Sequence, residues 1–339
     1  MTRRALITGI SGQDGAYLAR LLLHKGYDVV GGSRPSAGRD LWRLKAVGVD
    51  RDVKIADLEL LDSSSILSVI ERERPDEVYN LAAQSVVSSS FRTPVLTGDA
   101  DALGAARILE ALRKVNSSIR FYQASTSEMF GDTDETPQSE TTAFCPRSPY
   151  GVAKLYAHWM TVNFRNVDGL FACSGILFNH ESPLRGLEFV TRKITHGLAA
   201  IALGNHDCIE LGNLDASRDW GFAADYVEGM WRMLQGDKPG DYVLATGRSH
   251  SVRDFCQAAA EAVDFDLVWQ GSGINEKAID SKTGRTIVQV SPDVYRPNER
   301  LPLVGNAIKA ERELGWRPTM CFSELARTMT EADLKRARR

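Results

Sequence analysis

The stretch Ala5-Leu-Ile-Thr-Gly-Ile-Ser-Gly-Gln-Asp-Gly15 decides the architecture. Its first four residues are a short apolar run stopped by glycine, which reads as a buried strand over 5–8. From Tyr17 to Lys25 the apolar residues recur at helical spacing. Between the two lie Gly9, Gly12 and Gly15, with Gln13 and Asp14. Glycines at a strand-to-helix turn let the backbone approach a pyrophosphate, and the helix N-terminus supplies unpaired N–H groups and a positive dipole end. The spacing is GxxGxxG rather than the commoner GxGxxG. A glycine-rich turn without a ligand is the alternative.

Working outward, strands are predicted over 28–31, 53–56, 77–80, 120–124 and 170–177. Helices are predicted over 63–73, 99–115 and 150–167. Strand–helix alternation with short joints predicts an α/β fold, a doubly wound parallel sheet of Rossmann type. After about residue 180 the alternation weakens, and loops rich in Gly, Asn and Asp are expected over 203–219 and 271–285. The expected division is a nucleotide-binding domain over 1–180, with later returns near 215–245 and 290–310. A smaller, discontinuous C-terminal lobe then takes most of 181–335.

The chain has 339 residues, 43% of them apolar and 25% charged, which suits a large globular core and excludes a disordered chain. Lys plus Arg is 41 against 44 for Asp plus Glu, so clustered positive charge for nucleic acid is not expected. Five cysteines with no CxxC spacing argue against a metal site and for a reducing compartment. No apolar run approaches the ~18 residues of a membrane span, and Met-Thr-Arg-Arg opens no secretory leader. The expectation is a cytoplasmic protein without membrane or nucleic-acid partners. The basic end, 335–339, is expected to be a solvated tail.

The end of the second strand discriminates between dinucleotides. An acid there binds a ribose 2′-OH, whereas an arginine meets a 2′-phosphate. The chain reads Gly-Gly-Ser33-Arg34-Pro35, with no acid, so Arg34 favours NADP; an exposed loop cation is the alternative. Asp57 and Leu58 follow the third strand, at a place that can meet adenine. Leu81, Ala82 and Ala83 follow the fourth, where small residues let backbone pass a cofactor, or simply pack.

Tyr150 and Lys154 form a YxxxK pair, and i, i+4 residues share one helix face. Ser148 can cap that helix, with Pro149 in its first turn. A nearby ammonium favours a phenolate, which beside a nicotinamide accepts the proton of a sugar hydroxyl. Ser125-Thr-Ser-Glu128 directly follows the strand 120–124. If extended geometry continues, Thr126 and Glu128 face one side. Thr126 can hydrogen-bond the same substrate oxygen as Tyr150. Glu128 is a second base, which a simple alcohol oxidation does not need and C–H abstraction beside a carbonyl does. A solvated loop acid is the alternative.

With these motifs in view, the chain resembles the extended short-chain dehydrogenase/reductases, and within them the GDP-mannose 4,6-dehydratase family. The resemblance is carried by Leu6-Ile-Thr-Gly9 through Gly15, Asn80-Leu-Ala-Ala-Gln-Ser85 and Phe121 to Glu128. It continues through Pro146 to Tyr156, Gly175 to Pro183, Phe189 to Ile194, Leu211 to Asp215, Arg218 to Gly221 and Tyr295 to Glu299.

The resemblance implies NADP and a cycle with no net redox change, turning GDP-D-mannose into GDP-4-keto-6-deoxy-D-mannose. It implies Tyr150, Lys154, Thr126 and Glu128 as catalytic residues. It places His180 and Arg185 at the cofactor. It assigns Ser85, Asn179, Val190, Lys193, Arg218, Arg296 and Glu299 to the sugar nucleotide, and it implies a dimer or tetramer. The chain departs from the family at Pro35, where a second arginine is typical, and at Val86, a position often held by histidine. The second departure keeps GDP-D-glycero-D-manno-heptose open as substrate. A nucleotide-sugar dehydrogenase, epimerase or 4-keto reductase would not need Glu128.

Overall fold

The computed structural model describes residues 2–34, 40–295 and 303–338. The glycine turn joins strand β1 (Arg4–Thr8) to helix α1 (Gln13–His24). Ala5, Leu6 and Ile7 are all fully or almost fully buried, as a strand covered on both faces requires. Strands β2 (Asp28–Ser33), β3 (Lys54–Asp57), β4 (Glu77–Asn80), β5 (Arg120–Thr126) and β6 (Ala172–Leu177) join it, with a last strand at Asp241–Leu244. Every pairing in this sheet is parallel, and the order is Asp241–Leu244, β6, β5, β4, β1, β2, β3. This is the expected doubly wound sheet. The order reverses between β1 and β4, so their carboxyl ends diverge and open a crevice where ligands of such sheets bind.

Helices Ser63–Glu73 and Gly104–Val115 bury Ile66, Val69, Ile108 and Leu112 in a core shared with Leu6, Val78 and Phe121. The helix expected over 99–115 differs in kind. A short α-turn, Pro94–Thr97, runs into a π-helical turn, Gly98–Leu103, and only then into regular α-helix. A π-turn widens the backbone by one residue and rotates the faces beyond it, so 3.6-residue periodicity does not reveal it.

The chain divides into two compact units. One holds the residues through Phe178 with Ala223–Ala245 and Gly305–Arg317. The other holds Asn179–Phe222, Thr246–Val304 and the chain from Pro318.

In the second unit, helices Val190–Ala202, Val252–Glu261 and Phe322–Ala337 share a core with a four-stranded sheet. Its order is Leu267–Gln270, Lys277–Asp280, Thr286–Val290, Ile209–Leu211. Strands therefore occur inside both stretches expected to be loops. Ile209–Leu211 has three residues, too few for alternation to register, and is held by pairing with Val288–Val290.

The basic end is not a solvated tail throughout. The last helix runs to Ala337, and Arg336 binds the Asp333 carboxylate at 2.8 Å and the Pro183 carbonyl at 2.7 Å. Asp333 is buried against Arg192 and Thr195, which anchors this end to its own unit. Among the described residues, no helix is long and apolar enough to cross a membrane, and no group of His, Cys, Asp or Glu is arranged to hold a metal ion.

Candidate active site

The glycine turn lies at the carboxyl end of β1. Gly9 has φ +71°, a conformation that costs an L side chain energy. A Cβ there would also lie 2.8 Å from Cα and N of Ala82. A Cβ on Gly15 would lie 2.5 Å from the Gly9 carbonyl oxygen, so the first turn of α1 can close on the loop only without a side chain. Gly12 caps α1 and donates its N–H to the Gly9 carbonyl at 2.9 Å. Gln13 and Gly15 are buried and Asp14 half-buried at the helix start.

The residues after β4 both pack and pass closely. The Thr8 hydroxyl donates to Asn80 Oδ1 at 2.8 Å and accepts the N–H groups of Leu81 and Ala82, each at 3.1 Å. Asn80 Nδ2 continues to Gln123 Oε1 at 2.8 Å, and Gln123 Nε2 to the Ala124 carbonyl at 3.0 Å. Lys154 Nζ donates to that same carbonyl at 3.0 Å. One buried chain of hydrogen bonds thus links the glycine turn to Lys154. Gly9→Ala should disrupt this close approach and destabilise the fold by about 1–3 kcal/mol, the scale of overpacking. Denaturant unfolding that returned the wild-type stability would contradict this reading.

Tyr150 and Lys154 lie on helix Pro149–Val167. Ser148 caps it by accepting the Gly151 N–H at 3.0 Å, and Pro149 takes its first position. Tyr150 is buried, and Lys154 Nζ lies 5.8 Å from its ring centroid. Burial pushes the Lys154 ammonium below the usual lysine range, while the charges of Asp101 and Asp14 oppose that shift.

Thr126 is the last residue of β5 and is buried. Extended geometry does not continue beyond it. Thr126 Oγ1 accepts the Glu128 N–H at 3.2 Å and turns the chain into a 3-10 turn, Ser127–Met129. The half-buried Glu128 therefore reaches the site from a capped turn. That turn packs against the start of the tyrosine helix: a Cβ on Gly151 would lie 2.7 Å from the Glu128 carbonyl oxygen.

Arg34 is exposed at the end of β2, and Ser33 pairs in register with Asp57, also exposed. Leu58 is buried beside Gly32. Ala83 is half-buried and Ser85 exposed on the segment after β4.

The remaining candidates belong to the second unit. His180 is buried on strand Asn179–Glu181, whose first residue, Asn179, is half-buried. Arg185 Nε lies 3.1 Å from the buried Glu181 carboxylate, and its guanidinium stacks 3.5 Å from the Phe189 ring centroid. Val190 and Lys193 are exposed on the first turn of Val190–Ala202. Arg218 is half-buried on Ser217–Arg218 and donates to the Ser217 carbonyl at 2.8 Å. Arg296 and Glu299 lie outside the described residues, as does Pro35.

Two residues not singled out in the sequence join the first unit's site. Arg43 Nη1 donates to the Ser11 carbonyl in the glycine turn at 3.1 Å. Asp101, in the π-turn, accepts the Gln84 N–H at 2.7 Å. Neither carries a local signal, because each reaches the site from an element distant in sequence.

A glycine turn at the sheet's reversal point, together with a buried YxxxK pair beyond β5, fits a nicotinamide dinucleotide. The sheet topology and that pair define an extended short-chain dehydrogenase/reductase. The chain belongs to the GDP-mannose 4,6-dehydratase family, whose sequence model matches residues 6–329. It is 50% identical to the GDP-mannose 4,6-dehydratase of Sinorhizobium fredii, over 97% of this chain and 96% of that one. It is 48% identical to the human GDP-mannose 4,6 dehydratase, over 98% of this chain and 91% of that one. Among solved structures, RMD from Pseudomonas aeruginosa complexed with NADPH superposes with a TM-score of 0.79 at 22% identity. That match covers 99% of this chain and 100% of that one, and shows the shared fold.

Proposed function

We propose that this chain is an NADP-dependent GDP-mannose 4,6-dehydratase, a lyase that converts GDP-D-mannose to GDP-4-keto-6-deoxy-D-mannose. The observation that carries the reading is the contact between the Glu128 turn and the start of the Tyr150 helix. It supports reading the Tyr150 phenol as the oxidation base and the Glu128 carboxylate as a second base, both beyond the end of β5.

When bound, the cofactor supplies a reversible redox step, taking hydride from the sugar C4 and returning it to C6. Tyr150 accepts the O4 proton as the C4 alcohol becomes a ketone. Lys154, held by the Ala124 carbonyl, keeps a positive charge beside the phenol. Thr126 hydrogen-bonds the C4 oxygen. The ketone acidifies C5–H, and Glu128 takes that proton. The C6–O bond then breaks, the hydroxyl takes up a proton, and water leaves. Reprotonation at C5 completes the balance, which is the loss of one water.

The glycine turn and the segment after β4 support binding of the dinucleotide. Arg34, at a strand end with no acid at positions 31–34, supports NADP over NAD. Arg34→Ala should weaken NADP⁺ by about tenfold and NAD⁺ far less, since a charged hydrogen bond to phosphate is worth about 1.5–3 kcal/mol. Equal losses for both cofactors would remove Arg34 from the 2′-phosphate. His180 and Arg185 are assigned to the cofactor. Ser85, Asn179, Val190, Lys193, Arg218, Arg296 and Glu299 are assigned to the sugar nucleotide. Self-association is supported by a stripe of exposed Val152, Tyr156 and Trp159 along helix Pro149–Val167.

The test is mass spectrometry of the protein with GDP-mannose and catalytic NADP⁺. Loss of one water without accumulation of NADPH is the expected result. Reaction only with GDP-D-glycero-D-manno-heptose would make the heptose the substrate, the alternative that the departure at Val86 keeps open. NADPH accumulation without water loss would mean an ordinary dehydrogenase.

A further inference from the structure

Arg43 is a cation that the chemistry above leaves unused. It lies on the short helix Trp42–Ala46, beyond the end of β2, and is half-buried. Its Nη1 donates to the Ser11 carbonyl in the glycine turn at 3.1 Å. Its guanidinium carbon lies 4.6 Å from the Trp42 ring centroid. A hydrogen bond at one end and an aromatic ring beside it hold the planar fork in place.

The backbone around Arg43 defines where that fork sits. Thr8 pairs in register with Gly32, so the glycine turn leaves β1 level with the end of β2. The turn is seated on β2: a Cβ on Gly31 would lie 2.4 Å from Ile10 Cγ1. Ser11 follows, between Ile10 and the Gly12 cap of α1. In sheets of this kind the glycine turn takes the pyrophosphate and the end of the second strand takes the adenosine ribose. The Ser11 carbonyl lies where these two places meet. Arg34 stands exposed at that strand end, and Asp57, exposed and in register with Ser33, brings a negative charge to the same edge. A phosphate monoester carries about −1.5 to −2 charges at neutral pH, and the pull of one exposed guanidinium is weakened by salt. A second, better held cation is needed to retain such a group there.

We propose that Arg43 is a cofactor-binding residue that reads the 2′-phosphate of NADP, which then meets two arginines, one at the end of β2 and one on the helix that follows. A guanidinium has five N–H donors, so one side chain can serve a backbone carbonyl and a phosphate together. The inference rests on the NADP reading under the proposed function and adds to it a second residue that makes the choice between dinucleotides.

Arg43→Gln removes the charge from an element that lies outside the sheet and outside α1. The readout is calorimetric titration of the full chain with NADP⁺, NAD⁺ and adenosine 2′,5′-bisphosphate. The expected result is a loss of about tenfold or more for NADP⁺ and the bisphosphate, the scale of a charged hydrogen bond, with NAD⁺ changed by less than about threefold. Arg43→Lys keeps the charge without the fork and should fall between. An arginine that only staples the glycine turn would cost NAD⁺ and NADP⁺ the same factor, and that result overturns the proposal. A wild type that prefers NADP⁺, with the preference intact in Arg43→Gln, overturns the role of Arg43 alone. A wild type that binds the two dinucleotides alike overturns the NADP reading and this proposal together. Where Arg43→Gln does not fold, the same ratio measured on Arg43→Lys is decisive.

Discussion

Tyr150→Phe is expected to lower turnover by about a thousandfold or more, the scale of a positioned acid–base group, while the protein stays folded. The substitution deletes one oxygen and keeps the ring. That ring is buried, with Lys154 Nζ 5.8 Å from its centroid, so packing and the lysine's contact survive. On the proposed function, the first half-reaction loses its proton acceptor. In a single-turnover mixture with GDP-mannose, the absorbance of reduced nicotinamide should fail to rise on the wild-type timescale. Unchanged circular dichroism would exclude unfolding. A variant within tenfold of wild type would mean that another group accepts the O4 proton.

Glu128→Gln should separate two halves of the reaction that the wild type couples. Glutamine is isosteric, and the turn is set by the Glu128 backbone N–H on Thr126 Oγ1, which the substitution leaves alone. Oxidation at C4, which the proposed function gives to Tyr150, should continue. Removal of the C5 proton should fall by about 10²–10⁴-fold. Reduced nicotinamide should then accumulate toward one equivalent per active site, without the mass change of water loss. Exchange of C5–H with solvent deuterium should be slowed in parallel. Dehydration at the wild-type rate would take the base away from Glu128.

Much of the fold was legible in local sequence because its signals are local. A four-residue apolar strand, three glycines and an amphipathic helix are sufficient for the first strand–turn–helix unit. The restrictions that demand those glycines, a positive φ at Gly9 and a close approach at Gly15, act within a few residues. The same holds for Tyr150 and Lys154, which helical periodicity alone brings to one face, and for Ser148, whose cap spans three residues.

Other features depend on partners far along the chain. The turn that carries Glu128 is seated against Gly151 of the tyrosine helix, more than twenty residues on. Ile209–Leu211 is a strand because Val288–Val290 lies beside it. Arg336 is anchored because Pro183 and the buried Asp333 meet it.

Sequence by itself established the doubly wound sheet, its glycine turn and the shared helix of Tyr150 and Lys154, since backbone sterics and hydrophobic period are short-range. Folding alone revealed the π-turn that buries Asp101, the link from Thr8 through Asn80 and Gln123 to the carbonyl that holds Lys154, and the strands of the second unit. Hydrogen bonds and buried charges between distant segments are set by three-dimensional proximity, and no local pattern encodes that.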